Sequence, residues 1–242
     1  MQHIFGIHPV LELLRSHPEK IERLWVARDS DNPRLKNVLD EARRCGVSVH
    51  LEPKAAIQRR AGVENHQGVV AAVTELKLMD EEQVLKQCGP DAIVLILDGI
   101  TDPHNLGAIL RTAEGAGVQG VFLPERRTSP LSPAAIKASA GAAHHLSIAH
   151  IGNVSYFLEK LKQRSFQVIG LDANALQLWS NVDMRGRLAF VFGSEEEGLR
   201  RLVKENCDQL VRIPMAGKVT SLNVSATAAA VLFEAVRQRG RP

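Results

Sequence analysis

The chain has 242 residues, 45% of them hydrophobic, with a formal net charge of +3 and a pI near 8.9. That is ample apolar material for one large domain or two modest ones, and it excludes a disordered chain. No apolar run reaches transmembrane length, and Met1-Gln-His-Ile-Phe-Gly6 lacks the charged-then-apolar layout of a signal peptide, so the expected location is cytoplasmic, away from any membrane.

Residues 1–74 read as a small α/β unit. Apolar periodicity predicts helices over 8–15, 33–45 and 54–60, the second stopping at Gly46, and strands over 21–27, 47–51 and 68–73. Arg15, Arg23, Arg28, Arg34, Arg43, Arg44, Arg59 and Arg60 punctuate this unit. Such a run suits either a solvated face or an RNA-contacting one. Residues 75–90 lack strong periodicity and end in Cys88-Gly-Pro90, which predicts a linker with one or two helical turns around 80–87.

From Asp91 the texture changes. Ala92-Ile-Val-Leu-Ile-Leu97 is continuously apolar, as a strand buried on both faces of a parallel sheet must be. A polar loop runs from Asp98 to Gly107, and a helix continues through Ala113 to the glycines at 115 and 117. Strands follow at 120–123, 147–151, 167–171, 188–192 and 210–213, with helices at 133–143, 154–164 and 199–206. The last helix opens at Ser221 or Asn223; Leu222, Ala226, Ala229, Ala230, Phe233 and Val236 recur at helical spacing and mark its expected buried face. Alternating strands and helices over 91–242 predict an α/β domain with a mostly parallel sheet covered on both faces.

Three segments follow buried strands: the loop ending in Asn105-Leu-Gly107, then Gly193 to Gly198, then Ile213 to Ser225. In a parallel sheet they emerge at one edge and so converge on one site. None is Gly-x-Gly-x-x-Gly, and no Walker sequence occurs, which counts against nicotinamide and nucleotide-triphosphate enzymes. Each segment also has a plain structural reading. Gly107 suits tight helix packing, Glu195 to Glu197 complement a helix N-terminus, Ser221 and Asn223 are good caps, and Arg111 suits a helix surface. Cys45, Cys88 and Cys207 lie far apart, and His144-His145 point in different directions, so neither a disulfide nor a metal site is expected.

Taken together, Asn105-x-Gly107-x-x-x-Arg111, Gly193-x-Glu195-x-x-Gly198 and Ile213-Pro-Met-x(6)-Leu222-Asn-Val-Ser225 resemble, in order and spacing, the three motifs of the SPOUT-class RNA 2′-O-ribose methyltransferases, the SpoU/TrmH family. The resemblance spans nearly the whole chain. It implies a C-terminal α/β knot, a deep trefoil, and an N-terminal substrate-binding domain similar to ribosomal protein L30e. It also implies S-adenosylmethionine held bent by Gly193, Ile213, Met215 and Leu222, and a homodimer with two knots face to face. Asn105, Arg111, Glu195, Ser221 and Asn223 would form the catalytic set. Asp98 to Gly107 and Ile213 to Gly217 are similar almost letter for letter to the members that methylate a guanosine ribose in 23S rRNA, which points to that substrate and to its peptidyl-transferase P loop. The alternatives are a tRNA ribose methyltransferase of the same family and an RNA-binding adaptor without catalysis.

Overall fold

The computed structural model describes residues 2–30, 32–73 and 78–240. The chain forms two units, 1–77 and 78–242.

In the first unit β1 (Gln2–Phe5), β2 (Ile21–Ala27), β3 (Val49–Glu52) and β4 (Val69–Val73) make one mixed sheet in the order β1-β4-β2-β3. Helices α1 (Ile7–Ser16) and α2 (Arg34–Arg44) share a core with Leu24, Val26, Val69 and Ala71. On the opposite face Ile57 of α3 (Lys54–Ala61) packs with Trp25, Val70 and Ala72. The alternation of β2 and β4 between these clusters is the period-two signature of a strand buried on both sides. Strand β1 is absent from the sequence prediction: four residues with two apolar side chains carry little periodicity, and only the distant β4 pairs with them. Of the basic residues, Arg15 and Arg44 meet Glu41, Arg43 meets Asp40, and Arg60 meets Glu52 while stacking 4.3 Å from the Trp25 ring. Arg23, Arg28, Arg34 and Arg59 are exposed; the first three have no acidic partner among the described residues, and beside the Arg60 hydrogen bond the Arg59 charge helps hold the Glu52 carboxyl below its ordinary pKa.

The second unit begins earlier than the sequence predicts. Helix α4 (Glu81–Gln87) is present as expected around 80–87, but Val84 and Leu85 are buried in the core of this unit, so 78–90 is part of the domain rather than a linker. Residues 74–77 lie outside the described residues. Strands β5 (Ile93–Leu97), β6 (Gly120–Pro124), β7 (Ile148–Ile151), β8 (Gln167–Leu171), β9 (Gln177–Leu178), β10 (Leu188–Phe192) and β11 (Gln209–Arg212) form an all-parallel sheet, ordered β7-β6-β5-β10-β8-β11-β9. The chain moves outward from β5 to β7 and then returns to place β10 beside β5. That junction is the topological switch point, where open parallel sheets place their ligands.

One face of the sheet is covered by α4, α7 (Val154–Gln163) and α8 (Arg201–Glu205), whose apolar residues share a core with Val94, Ile96, Val168 and Val191. Cys207 packs against this core, and burial pushes its thiol up to about 12, as suits a reduced structural cysteine. The other helices are α5 (Pro103–Gly115), α6 (Pro133–Ala138) and α9 (Val224–Gln238), with α5 packed against both α6 and α9.

Three details differ from the sequence reading. Helix α5 starts at Pro103, with Asp102 accepting the His104 N–H as its N-cap, so Asn105 and Gly107 lie on the helix and not in a loop. Helix α6 ends at Ala138 rather than near 143, because Ala140 and Gly141 take φ of 49° and 91° and break it. The buried stripe of α9 is Val224, Ala228, Val231, Leu232 and Ala235, while Phe233 is 51% exposed and Ala226 exposed. In so alanine-rich a helix two stripes are apolar, and packing against α5 chooses between them.

Gly107 belongs to the α5–α6 contact. A Cβ there would lie 2.4 Å from Ala138 Cβ and 2.5 Å from the Ala135 carbonyl oxygen. Gly107→Ala should therefore lower stability by about 1–3 kcal/mol despite alanine's better helix propensity. A thermal melt decides it, since an unchanged or raised Tm would show that the two helices have room to part.

Candidate active site

The three motifs meet beyond the C-terminal ends of β5, β10 and β11. Phe192 ends β10 and its carbonyl accepts the Asp98 N–H at 2.8 Å, extending the ladder to β5 by one residue. The chain then folds back on itself. Ser194 and Gly198 exchange backbone hydrogen bonds of 3.2 and 3.0 Å, Ser194 Oγ accepts the Glu197 N–H at 3.1 Å, and Glu195 to Glu197 form the tip of this small hairpin. Gly193 is required at its root: a Cβ there would lie 2.2 Å from the Gly198 carbonyl carbon and 2.4 Å from the Leu199 nitrogen. Arg200 braces the turn from behind, donating to both oxygens of the buried Asp98 at 2.9 and 2.8 Å. This pair escaped the sequence reading because its members are 102 residues apart.

One residue from each motif joins a single hydrogen-bond network. Asn105 Nδ2 donates to Glu195 Oε1 at 2.7 Å, and Asn223 Nδ2 donates to the same oxygen at 2.8 Å and to Asn105 Oδ1 at 3.0 Å. Asn223 Oδ1 is meanwhile the N-cap of α9, accepting from the Ser225 N–H at 2.8 Å and the Ser225 hydroxyl at 2.6 Å. Capping fixes which way the amide faces, so its NH2 group must point at Asn105 and Glu195. The two ends of the amide thus have different partners: Oδ1 caps α9, and Nδ2 meets Asn105 and Glu195. Glu195 Oε2 has no partner among the described residues.

Arg111 does not enter this network. It is exposed on α5, six residues after Asn105, and makes no hydrogen bond or ion pair among the described residues. Six helical residues advance about 9 Å and leave the two side chains about 120° apart around the axis. Glu195 bonds the two asparagines and not Arg111.

Beside the network lies a cavity of about 350 Å³. Gly193, Ile213, Met215, Leu222 and Ser221 line it, together with the apolar Leu171, Phe192 and Val211. The four residues expected to hold the cofactor therefore share one cavity, and Ser221 joins that wall rather than the asparagine network. Leu222, 41% exposed, serves the cavity and not the helix core. Asp172 and Lys204 also line it, 2.7 Å apart. They were missed, although Asp172 follows a buried strand as directly as the motif residues do. The remaining lining is mostly polar, so the cavity pairs one apolar wall with many polar groups, an arrangement that fits a planar base bearing a polar tail. Among the described residues no group of three or more His, Cys, Asp and Glu is placed to hold a metal ion, and no helix is long and apolar enough to cross a membrane.

Residues 92–233 match the model of the SpoU rRNA Methylase family, and residues 3–79 match that for RNA 2′-O ribose methyltransferase substrate binding. The chain belongs to the SpoU family. Among its relatives, the 23S rRNA (guanosine-2′-O-)-methyltransferase RlmB of Pseudomonas putida is 40% identical, over 99% of this chain and 97% of that protein. The crystal structure of an RNA 2′-O ribose methyltransferase matches with a TM-score of 0.66 and 29% identity, over 98% of this chain and 88% of that one. The SpoU methyltransferase AviRb of Streptomyces viridochromogenes, solved with its cofactor AdoMet, shares the fold with a TM-score of 0.70 at 22% identity, over 99% and 91% of the two chains. SpoU membership accounts for the order of the three motifs along the chain and for their convergence at one sheet edge.

Proposed function

We propose that this SpoU protein transfers a methyl group from S-adenosylmethionine to the 2′-hydroxyl of a guanosine in 23S rRNA, in the cytoplasm. The observation that carries the reading is the Asn105–Glu195–Asn223 network, which joins all three motifs beside a cavity suited to the cofactor. The near full-length likeness to RlmB favours 23S rRNA over tRNA. The placement in the peptidyl-transferase P loop rests on the motif resemblance. Mapping ribose methylation in rRNA and tRNA from cells with and without the gene tests the substrate: one guanosine of 23S rRNA should lose its mark. A loss confined to tRNA would move the activity there, and cofactor binding with no methylated RNA would leave only an adaptor.

Bound S-adenosylmethionine supplies a methyl group already activated on a sulfonium, so the protein's part is positioning and electrostatics. Gly193, Ile213, Met215 and Leu222 hold the cofactor through backbone groups and apolar surface, with Ser221 at the rim. Glu195, pinned through Oε1, offers Oε2 to the target hydroxyl and aligns its oxygen, while Asn105 and Asn223 keep the carboxylate in place. A guanidinium stays protonated in proteins, so Arg111 acts as a fork and not as a base: it grips the phosphate beside the target ribose and stabilises charge developing on the oxygen, while that phosphate or solvent takes the hydroxyl proton as the methyl group is transferred.

The first unit selects the RNA, and residues 78–242 hold the cofactor and the chemistry. The exposed Arg23, Arg28, Arg34 and Arg59 supply the phosphate contacts, so RNA affinity should fall as salt rises. The similarity of this unit to ribosomal protein L30e, and the threading of the segment after β11 as a trefoil knot, follow from the family resemblance.

The protein works as a homodimer. Packing on α5 leaves Ala226 and Phe233 on an uncovered apolar face of α9, and obligate interfaces commonly bury about 2,000 Å² or more. Light scattering should give twice the chain mass, and Phe233→Glu should halve it without changing the circular dichroism. An active monomer would refute the assembly.

A further inference from the structure

The wall of the cofactor cavity contains an ion pair that lies outside all three motifs. Asp172 follows β8 directly, and its N–H donates to the Val211 carbonyl at 3.0 Å, so the sheet fixes its backbone. Its side chain is 11% exposed, that of Lys204 32%. The Asn174 N–H donates to Oδ1 at 3.0 Å, and Lys204 Nζ lies 2.7 Å from Oδ2. Burial alone would raise the Asp172 pKa; the Lys204 hydrogen bond, the Asn174 N–H and the Lys204 charge outweigh it and hold the carboxyl below its ordinary value. The group is therefore an ionised acceptor at neutral pH. Each carboxylate oxygen has two lone pairs, so each retains one unused acceptor site.

A carboxylate that lines a cavity offers its spare acceptor sites to water in the free protein and to the donors of a bound ligand. Three parts of S-adenosylmethionine donate hydrogen bonds: the adenine amino group, the ribose diol and the α-ammonium. The adenine amino group has a ring nitrogen acceptor beside it, which a second carboxylate oxygen repels. Lys204 cancels the charge of Asp172 and so removes the attraction that would seat an ammonium there. The neutral diol remains, with two adjacent O–H donors to match two adjacent oxygens.

We propose that Asp172 accepts both ribose hydroxyls of the cofactor and that Lys204 is the positioning residue that holds its carboxylate. This rests on the cofactor reading above. Calorimetry with S-adenosylhomocysteine and its 2′-deoxy and 3′-deoxy analogues tests it without any need for turnover. On the parent protein each deletion should weaken binding by about tenfold, the loss expected for one charge-assisted hydrogen bond. On Asp172→Ala all three ligands should bind alike. If Asp172 merely braces α8 against β8, the substitution weakens all three in proportion, the deoxy penalties persist, and the proposal is overturned. Should the alanine variant not fold, Asp172→Asn keeps the shape and one acceptor oxygen. It should lose the penalty at one of the two positions, and undiminished penalties at both would overturn the proposal equally. A parent protein that binds no S-adenosylhomocysteine at all would overturn the cofactor reading itself, and this inference with it.

Discussion

Arg111→Lys should cut methyl transfer about a hundredfold, or ~2.7 kcal/mol of transition-state stabilisation, while cofactor affinity and Tm stay at the parent values. Arg111 is exposed on α5 with no partner among the described residues, so nothing in the fold depends on it. Lysine preserves the charge and has nearly the same helix propensity. A residue that only covered a helix surface would tolerate the change silently. A fork that grips phosphate and steadies the reacting oxygen would not, because an ammonium offers a point charge without the planar pair of donors. The cofactor cavity is lined by other residues, so calorimetry should register little change. Methylation at the parent rate would remove Arg111 from the chemistry, and a parallel fall in affinity and turnover would move it to the cofactor site.

How much was legible in the sequence followed the range of the interactions. The strands at 93–97 and 188–192 announce themselves as continuous apolar runs, because both faces are buried by helices of the same unit. The cap of α9 was legible as well, since Asn223 and Ser225 are two residues apart. Asp102-Pro103 is an equally local signal for the start of α5, and reading the loop on to Gly107 placed that start too late. What resisted was set at a distance. Whether Ala228 or Ala229 faces inward depends on α5, over a hundred residues earlier, and the pairing of Asp98 with Arg200 has no local signature at all. The motif resemblance named Asn105, Glu195 and Asn223, which the fold brings into one hydrogen-bond network, yet it said nothing of Asp172, which lies outside every motif. Arg111 shows the limit of the spacing argument. It matches its motif position, but the helix turns it about 120° from Asn105, outside the asparagine–glutamate network.

Gly193→Ala should weaken cofactor binding by at least about tenfold, roughly 1.4 kcal/mol, and lower turnover further still. The added Cβ would meet the Gly198 carbonyl carbon at 2.2 Å, its oxygen at 2.3 Å and the Leu199 nitrogen at 2.4 Å. All three are backbone atoms, so no side chain can swing aside and the hairpin from Ser194 to Gly198 must shift as a body. That hairpin carries Glu195, whose Oε1 is the shared acceptor for Asn105 and Asn223, and its residues form one wall of the cavity. One methyl group thus disturbs the cofactor wall and the polar network together. Overpacking of this kind also costs about 1–3 kcal/mol of stability, so a lower Tm is expected as well. Gly198→Ala separates the local clash from a general intolerance of the loop. Gly198 has φ +67° and open space around its missing side chain, so alanine there meets only the left-handed backbone penalty of about 1–2 kcal/mol. Calorimetry on the two folded variants should therefore rank Gly193→Ala well below Gly198→Ala in cofactor affinity. Equal losses would mean that the hairpin's flexibility, and not the close approach at Gly193, governs the cavity.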